Sequence, residues 1–232
     1  MKKLTEPSSG KCGDKVGYKS RSGQCERQHV VPTNPNTARQ CRQREDFGDG
    51  SNAWGTLLTE ERRLAWIAAG AKVERRDSVG NLYTLSGQEH FTGISSARAC
   101  IGRERLLDPP EPVGFHLSPV EKLIISKAGG RPTLKLSVSG PVTEDIMVFG
   151  QAPCSPGRMK CRNVTYLSLL PPPEGGLSDI TEMYVAVYGV PPDGMKVFIR
   201  TRWQVNGWEG VDRDTSAIVE AKPGPAVGRK GG

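Results

Sequence analysis

Three prolines within four residues, Pro109-Pro110-Glu111-Pro112, divide this chain more firmly than anything else in it. Each proline fixes φ and removes a backbone donor, so neither a helix nor a central strand runs through them. Upstream, apolar residues recur at helical spacing; downstream the period changes to two. The 232-residue chain therefore reads as α+β. An extended N-terminal arm or hairpin covers 1–36 and a small three-helix segment covers 37–106. A proline-rich linker over 107–113 leads to a C-terminal antiparallel β-sandwich over 114–221, and a flexible tail takes 222–232.

Downstream, the expected strands are 114–117, 122–126, 133–138, 145–150, 164–169, 183–188, 196–205 and 216–220. Leu134, Leu136 and Val138 alternate with Lys135 and Ser137, the pattern of a half-buried strand. Asn206-Gly207 after a long alternating run marks a hairpin into a short following strand. Short strands joined by Gly- and Pro-rich turns argue for two packed sheets. Trp203 and Trp208 flank the hairpin turn. Cross-strand aromatic packing is the plainer account of them, and a sugar or partner contact through Trp208 is the other.

Upstream, a first helix starts near Thr37 with Asn36 or Thr37 as its cap, and Gly48 and Gly50 are expected to interrupt it before Trp54. A second follows Thr59, with Leu64, Ile67, Ala68 and Ala71 as its apolar stripe. A third opens at Ser86, whose spacing to Glu89 is that of a capping box, and carries Phe91, Ile94, Ala97 (or Arg98) and Ile101 on one side. The expected helical core is Phe47, Trp54, Leu64, Trp66, Ile67, Phe91 and Ile94.

The arm holds the charge. Residues 1–44 contain ten Lys/Arg and three Asp/Glu, which is +7, the whole formal net charge. Of 32 bases and 25 acids in all, 22 of each are left for the other 188 residues. A basic arm on a neutral body calls for an acidic partner, either nucleic acid or a neighbouring subunit, or serves solubility. Gly10, Gly13, Gly17 and Gly23 punctuate two strand-like pieces that end at Pro32. A two-stranded hairpin is marginal in water, so this one must lie on something. Val16, Tyr18, Arg21, Gln24, Arg27, Val30 and Val31 are the candidate inter-subunit contacts.

The six cysteines form no CxxC, and with three histidines a zinc site has little support. The layout favours Cys12–Cys25, Cys41–Cys100 and Cys154–Cys161 disulfides, against six free thiols. His29, His90 and His116 fall in three different elements, and no nucleophile elbow, phosphate loop or zincin motif occurs. Asp212-Arg213-Asp214 lacks the glycine and distal glutamate of a calcium loop. Asn163-Val164-Thr165 is a glycosylation-type triplet. No catalytic residue, metal or cofactor is expected.

One resemblance is carried by motifs. They are Gly23-Gln24 with Arg27, then Pro32, Asn34, Pro35, Thr37 and Gln40 with Gln43 before Arg44. Trp54, Leu57, Thr59, Arg62 and Trp66 follow, with one extra residue before Thr59, and Leu85-Ser86-Gly87 precedes Phe91. Over residues 10–105 the chain resembles an uncharacterised family of bacterial and phage-associated proteins of unknown function. That resemblance implies no activity. The C-terminal half is similar only in general to fibronectin-type and immunoglobulin-like sandwiches.

The expected function is that of a non-catalytic structural subunit. It self-assembles as a homopolymer into a filament, tube or virion-like particle through strand or arm exchange. The alternatives are nucleic-acid binding by the basic arm and a surface carbohydrate-binding module. No run of apolar residues is long enough to span a membrane. The expected location is an extracellular or virion-like assembly. With no recognisable signal peptide, a cytoplasmic one stays open.

Overall fold

The computed structural model describes residues 9–20, 23–31, 33–76, 80–128 and 131–220. The tail expected over 222–232 lies outside them. The chain is mixed α/β and mostly β, with four helices and several antiparallel sheets among the described residues. It divides into two compact units, Met1–Arg44 and Glu45–Gly232. That division falls where the sequence charge ends, at Arg44.

The first unit holds β1 (Gly10–Cys12), β2 (Lys15–Ser20) and β3 (Gly23–Gln28), an antiparallel sheet in that order. A third strand thus joins the two expected. Helix α1 (Ala38–Thr56) begins in this unit and ends in the next. Thr37 and Gln40 cap it reciprocally: the Gln40 N–H donates to Thr37 Oγ1 (3.3 Å) and the Thr37 N–H to Gln40 Oε1 (3.1 Å). The helix is not broken at Gly48 or Gly50 as expected. A Cβ on Gly50 would stand 3.1 Å from Thr92 Cγ2, so this glycine permits a close helix approach instead of ending the helix.

The second unit continues with α2 (Glu60–Gly70), β4 (Glu74–Arg76), β5 (Leu82–Thr84) and α3 (Gly87–Cys100). Thr59 caps α2, its Oγ1 accepting from the Arg62 N–H (3.4 Å). At α3 the capping box between Ser86 and Glu89 is complete. Next come β6 (Val120–Ala128), β7 (Arg131–Val138), β8 (Asp145–Gly150), β9 (Thr165–Leu169) and β10 (Leu177–Asp179). Last are α4 (Thr181–Tyr188), β11 (Lys196–Val205), β12 (Trp208–Glu209) and β13 (Arg213–Ile218). One sheet runs β10-β7-β6, and another runs β12-β11-β8-β9 with β13 also on β11. A single apolar cluster draws on both, including Leu123, Leu134 and Leu136 from the first and Ile146, Val148, Val197 and Ile199 from the second.

Two expected strands are absent. Residues 114–117 are irregular, with Phe115 packed on the core and Leu117 91% exposed. The run Met183–Tyr188 is helix α4, despite its β-branched and aromatic residues. Tertiary contacts at a spacing of four override that propensity. Ile180 and Tyr184 are fully buried, and the Tyr184 and Tyr188 hydroxyls donate to the carbonyls of Gln151 (2.8 Å) and Gly150 (2.7 Å). Asp179 Oδ1 accepts from the Thr181 N–H (2.9 Å), turning the chain into the helix. No helix among the described residues is long and apolar enough to cross a membrane.

Tyr184→Phe keeps the buried ring but strips the Gln151 carbonyl of its donor. The expected loss is about 1–2 kcal/mol of unfolding free energy, measured by urea denaturation.

Candidate functional site

The N-terminal sheet has no core. Among the described residues of the first unit none is buried; Val16, Gln24 and Cys25 are half-buried and Tyr18 is 43% exposed. Arg27 is exposed, and Val30 and Val31, just past β3, are 73% and 76% exposed. Arg21 lies outside the described residues. A salt bridge of 4.0 Å links Lys15 to Glu26 across β2 and β3. Beyond the strands, the Arg44 guanidinium donates to Asn34 Oδ1 and Asn36 Oδ1, both at 2.9 Å, tying the Asn34-Pro35-Asn36 turn to α1.

In the second unit the β11–β12 hairpin enters a helical core. Asn206 and Gly207 make a two-residue loop with φ of 50° and 88°, the type I′ geometry that Asn-Gly favours. At Gly207 a Cβ would lie 2.6 Å from Ile94 Cγ2 and 2.8 Å from its carbonyl oxygen, so the loop rests on α3. Trp208 packs on the cluster of Ala53, Leu58, Trp66, Phe91 and Ile94, while Trp203 belongs to the cluster of the sheets. Trp208 is therefore half-buried rather than displayed. Its indole N–H donates to the Pro110 carbonyl (3.4 Å), and that of Trp66 donates to Leu107 (2.9 Å). The proline segment is thus packed along the helical core, not a free linker. Proline lacks a donor but keeps its acceptor, so such a segment can still receive two indoles.

Of the expected helical core, Trp66, Phe91 and Ile94 are buried, and Trp54 is half-buried with its ring 5.9 Å from that of Phe91. Phe47, Leu64 and Ile67 are 64%, 57% and 48% exposed. On α2 the face bearing Trp66 and Gly70 turns inward in place of the Leu64–Ala71 stripe. One indole buries about 150–250 Å², and that of Trp66 is fully buried with its N–H met by the Leu107 carbonyl. Phe47 instead lines the rim of a hollow of about 320 Å³, with Ser51 of α1 and Gln88, Thr92 and Ser96 of α3.

Sequence reasoning passed over His90. It is 3% exposed, with its ring 5.2 Å from Trp66 and 5.1 Å from Trp208, and its Nε2 is buried without a hydrogen bond. Burial, and secondarily the charge of Arg75, hold its pKa below the ordinary imidazole value. Its spacing of four from Ile94 was the signal available in the sequence.

None of the six cysteines forms a disulfide. Cys12 and Cys25 lie on β1 and β3 with β2 between them, two strand spacings (about 9–10 Å) across and three residues (about 10 Å) along, because Cys12 faces Lys15 and Cys25 faces Tyr18, beyond disulfide reach. Cys41 Sγ donates to Asn36 Oδ1 (3.3 Å), Cys100 is exposed, and Cys154 Sγ meets the Lys196 carbonyl (3.5 Å). Cys161 is buried, and burial, with Asp214 and Cys154 nearby, pushes its thiol up to about 11. Asp212 and Asp214 are held by guanidinium groups. Arg200 bridges both (3.0 and 2.6 Å), and Arg202 reaches Asp212 and Glu209, each at 2.6 Å. No group of three or more His, Cys, Asp or Glu that could hold a metal occurs among the described residues. His29 is half-buried and His116 exposed, and Asn163, also exposed, has φ of 54°.

Compared with known proteins, the chain matches no family model, no curated protein and no solved structure. The family resemblance of residues 10–105 thus rests on its motifs.

Gly207→Ala adds a clash with α3 to backbone strain, whereas Gly140→Ala, at φ 85° with open space around it, adds strain alone. Expected losses are about 2–4 kcal/mol for the first and about 1 kcal/mol for the second, from chemical denaturation of both variants.

Proposed function

We propose that the chain is a non-catalytic structural subunit whose N-terminal sheet lies on a neighbouring copy. The product is a homopolymeric filament, tube or virion-like particle, in an extracellular setting or a virion. The observation that carries this reading is the coreless sheet. Fifteen strand residues are held in register with none of the described ones buried. Ordering backbone costs about 1–2 kcal/mol per residue, and each hydrogen bond returns about 0.5–1.5 kcal/mol net. With so little apolar burial the balance is unfavourable, and a second surface supplies what is missing.

The body supports the reading as an acceptor. We read residues 114–221 as a two-sheet sandwich, because one apolar cluster draws on both sheets. In the strand order β9 ends its sheet, and its sequence, Thr-Tyr-Leu-Ser-Leu, carries no charge. Edge strands are commonly blunted by charge, and strand addition uses edges that are not.

Deleting residues 1–32 is expected to leave a folded, soluble body that no longer polymerises. Negative-stain microscopy beside a sizing column reads the outcome. Regular polymers from the full chain support the reading; undiminished polymers from the deletion, or a uniform monomer from the full chain, overturn it.

Nucleic-acid binding is the second reading, favoured by one observation: the +7 of residues 1–44 coincides with a compact unit. A band shift with DNA or RNA is then expected at low salt. Neutralising about six phosphates makes affinity fall roughly a thousandfold between 50 and 200 mM salt. A chain without residues 1–32 gives no shift, and a shift that survives the deletion or ignores salt removes this reading.

A further inference from the structure

His90 sits where three elements of the second unit meet: its own helix α3, Trp66 of α2 and Trp208 of β12. A neutral imidazole tolerates this place, since one ring nitrogen is only an acceptor and an unmet acceptor is the lesser loss. An imidazolium donates from both nitrogens, and the buried Nε2 has no acceptor. Indole faces attract a cation, but less than a desolvated charge with an undonated N–H loses.

The charges on the surrounding elements offer no relief. From β4, Arg75 acts on the ring with like sign. On α2, Arg62 is paired with Asp108 and Arg63 with Glu60. Beside Trp208, Glu209 is paired with Arg202, and on α3 Glu89 is engaged by Ser86 in the capping box.

We propose that His90 is a proton-operated latch: neutral, it seats the tip of the β11–β12 hairpin on the helical core; protonated, it expels Trp208 and frees that tip. Apart from this ring, Trp208 packs beside the apolar helical cluster, and the polar contacts that hold the tip to the helices are few. Trp208 has a long hydrogen bond to Pro110, Gln204 donates to the Ala97 carbonyl, and Gly207 touches Ile94. The lowered affinity of His90 for a proton agrees with this geometry. Because the folded state binds the proton more weakly than the unfolded one, the stabilisation is full above about pH 6.5. It is lost as pH falls below that value, toward the folded-state midpoint. The inference is independent of the assembly reading.

The test compares the full chain with its His90→Phe variant at pH 7.5 and 5.5. Thermal midpoints are read together with hydrogen exchange of residues 203–212, corrected for the intrinsic pH effect. For the unaltered chain, acidification is expected to lower the midpoint more than for the variant, by up to about 3–5 °C. Exchange at the hairpin tip rises severalfold in the unaltered chain alone, up to the roughly tenfold ceiling that one pH unit below the ordinary imidazole value sets. Equal responses from the two proteins, or a tip that stays protected at pH 5.5, overturn the latch. Should His90→Phe fail to fold, NMR titration of the His90 imidazole decides. A midpoint below about 6.5 accompanied by tip exchange supports the latch, and one at or above that value overturns it.

Discussion

The contact of a two-residue turn with a helix joins the two cores of the second unit. Gly207 lies against Ile94 with no room for a Cβ, so the end of β11 is pinned to α3. Trp203 goes to the core of the sheets and Trp208, five residues on, to that of the helices. The proline segment then lies along the helical core because both indole N–H groups need acceptors and find them at Leu107 and Pro110. What reads as a boundary in the sequence is in space part of the packing. Residues 45–232 accordingly form one compact unit, where composition alone divides them at the prolines.

Short-range signals were the most legible. Asn206-Gly207, the Ser86–Glu89 box and the Thr59 cap each depend on residues within three or four positions, and each has its expected geometry. Features fixed by distant partners were not legible. Met183–Tyr188 has strand propensity, yet the carbonyls of Gly150 and Gln151 hold its tyrosines in a helix. The inward face of α2 follows one tryptophan, not the count of aliphatic residues. Cys12 and Cys25 look like neighbours until a strand comes between them. For the candidate site, the glycine-punctuated strands were legible, but that none of their described residues is buried emerges only from the fold. His90 was passed over because its spacing of four from Ile94 marks a helix face and says nothing of what packs on that face.

Among charged residues, the body resolves its own account locally. Arg200 and Arg202 of β11 are laced to Asp212, Asp214 and Glu209 across the adjoining segments. Such pairs, partly exposed, add modest stability each; Asp214 faces Arg200 in the register of β13 on β11, and the Asp212 and Asp214 carboxylates are left engaged. The same economy extends to composition, where bases and acids cancel beyond Arg44.

That cancellation bears on how copies of this chain would meet. All of the net repulsion between two molecules at neutral pH originates in the first 44 residues. Under the proposed assembly each incoming copy would bring the same +7, so the barrier would recur at every addition until salt or an acidic partner screens it. Ionic strength would then act on growth as much as on the first encounter.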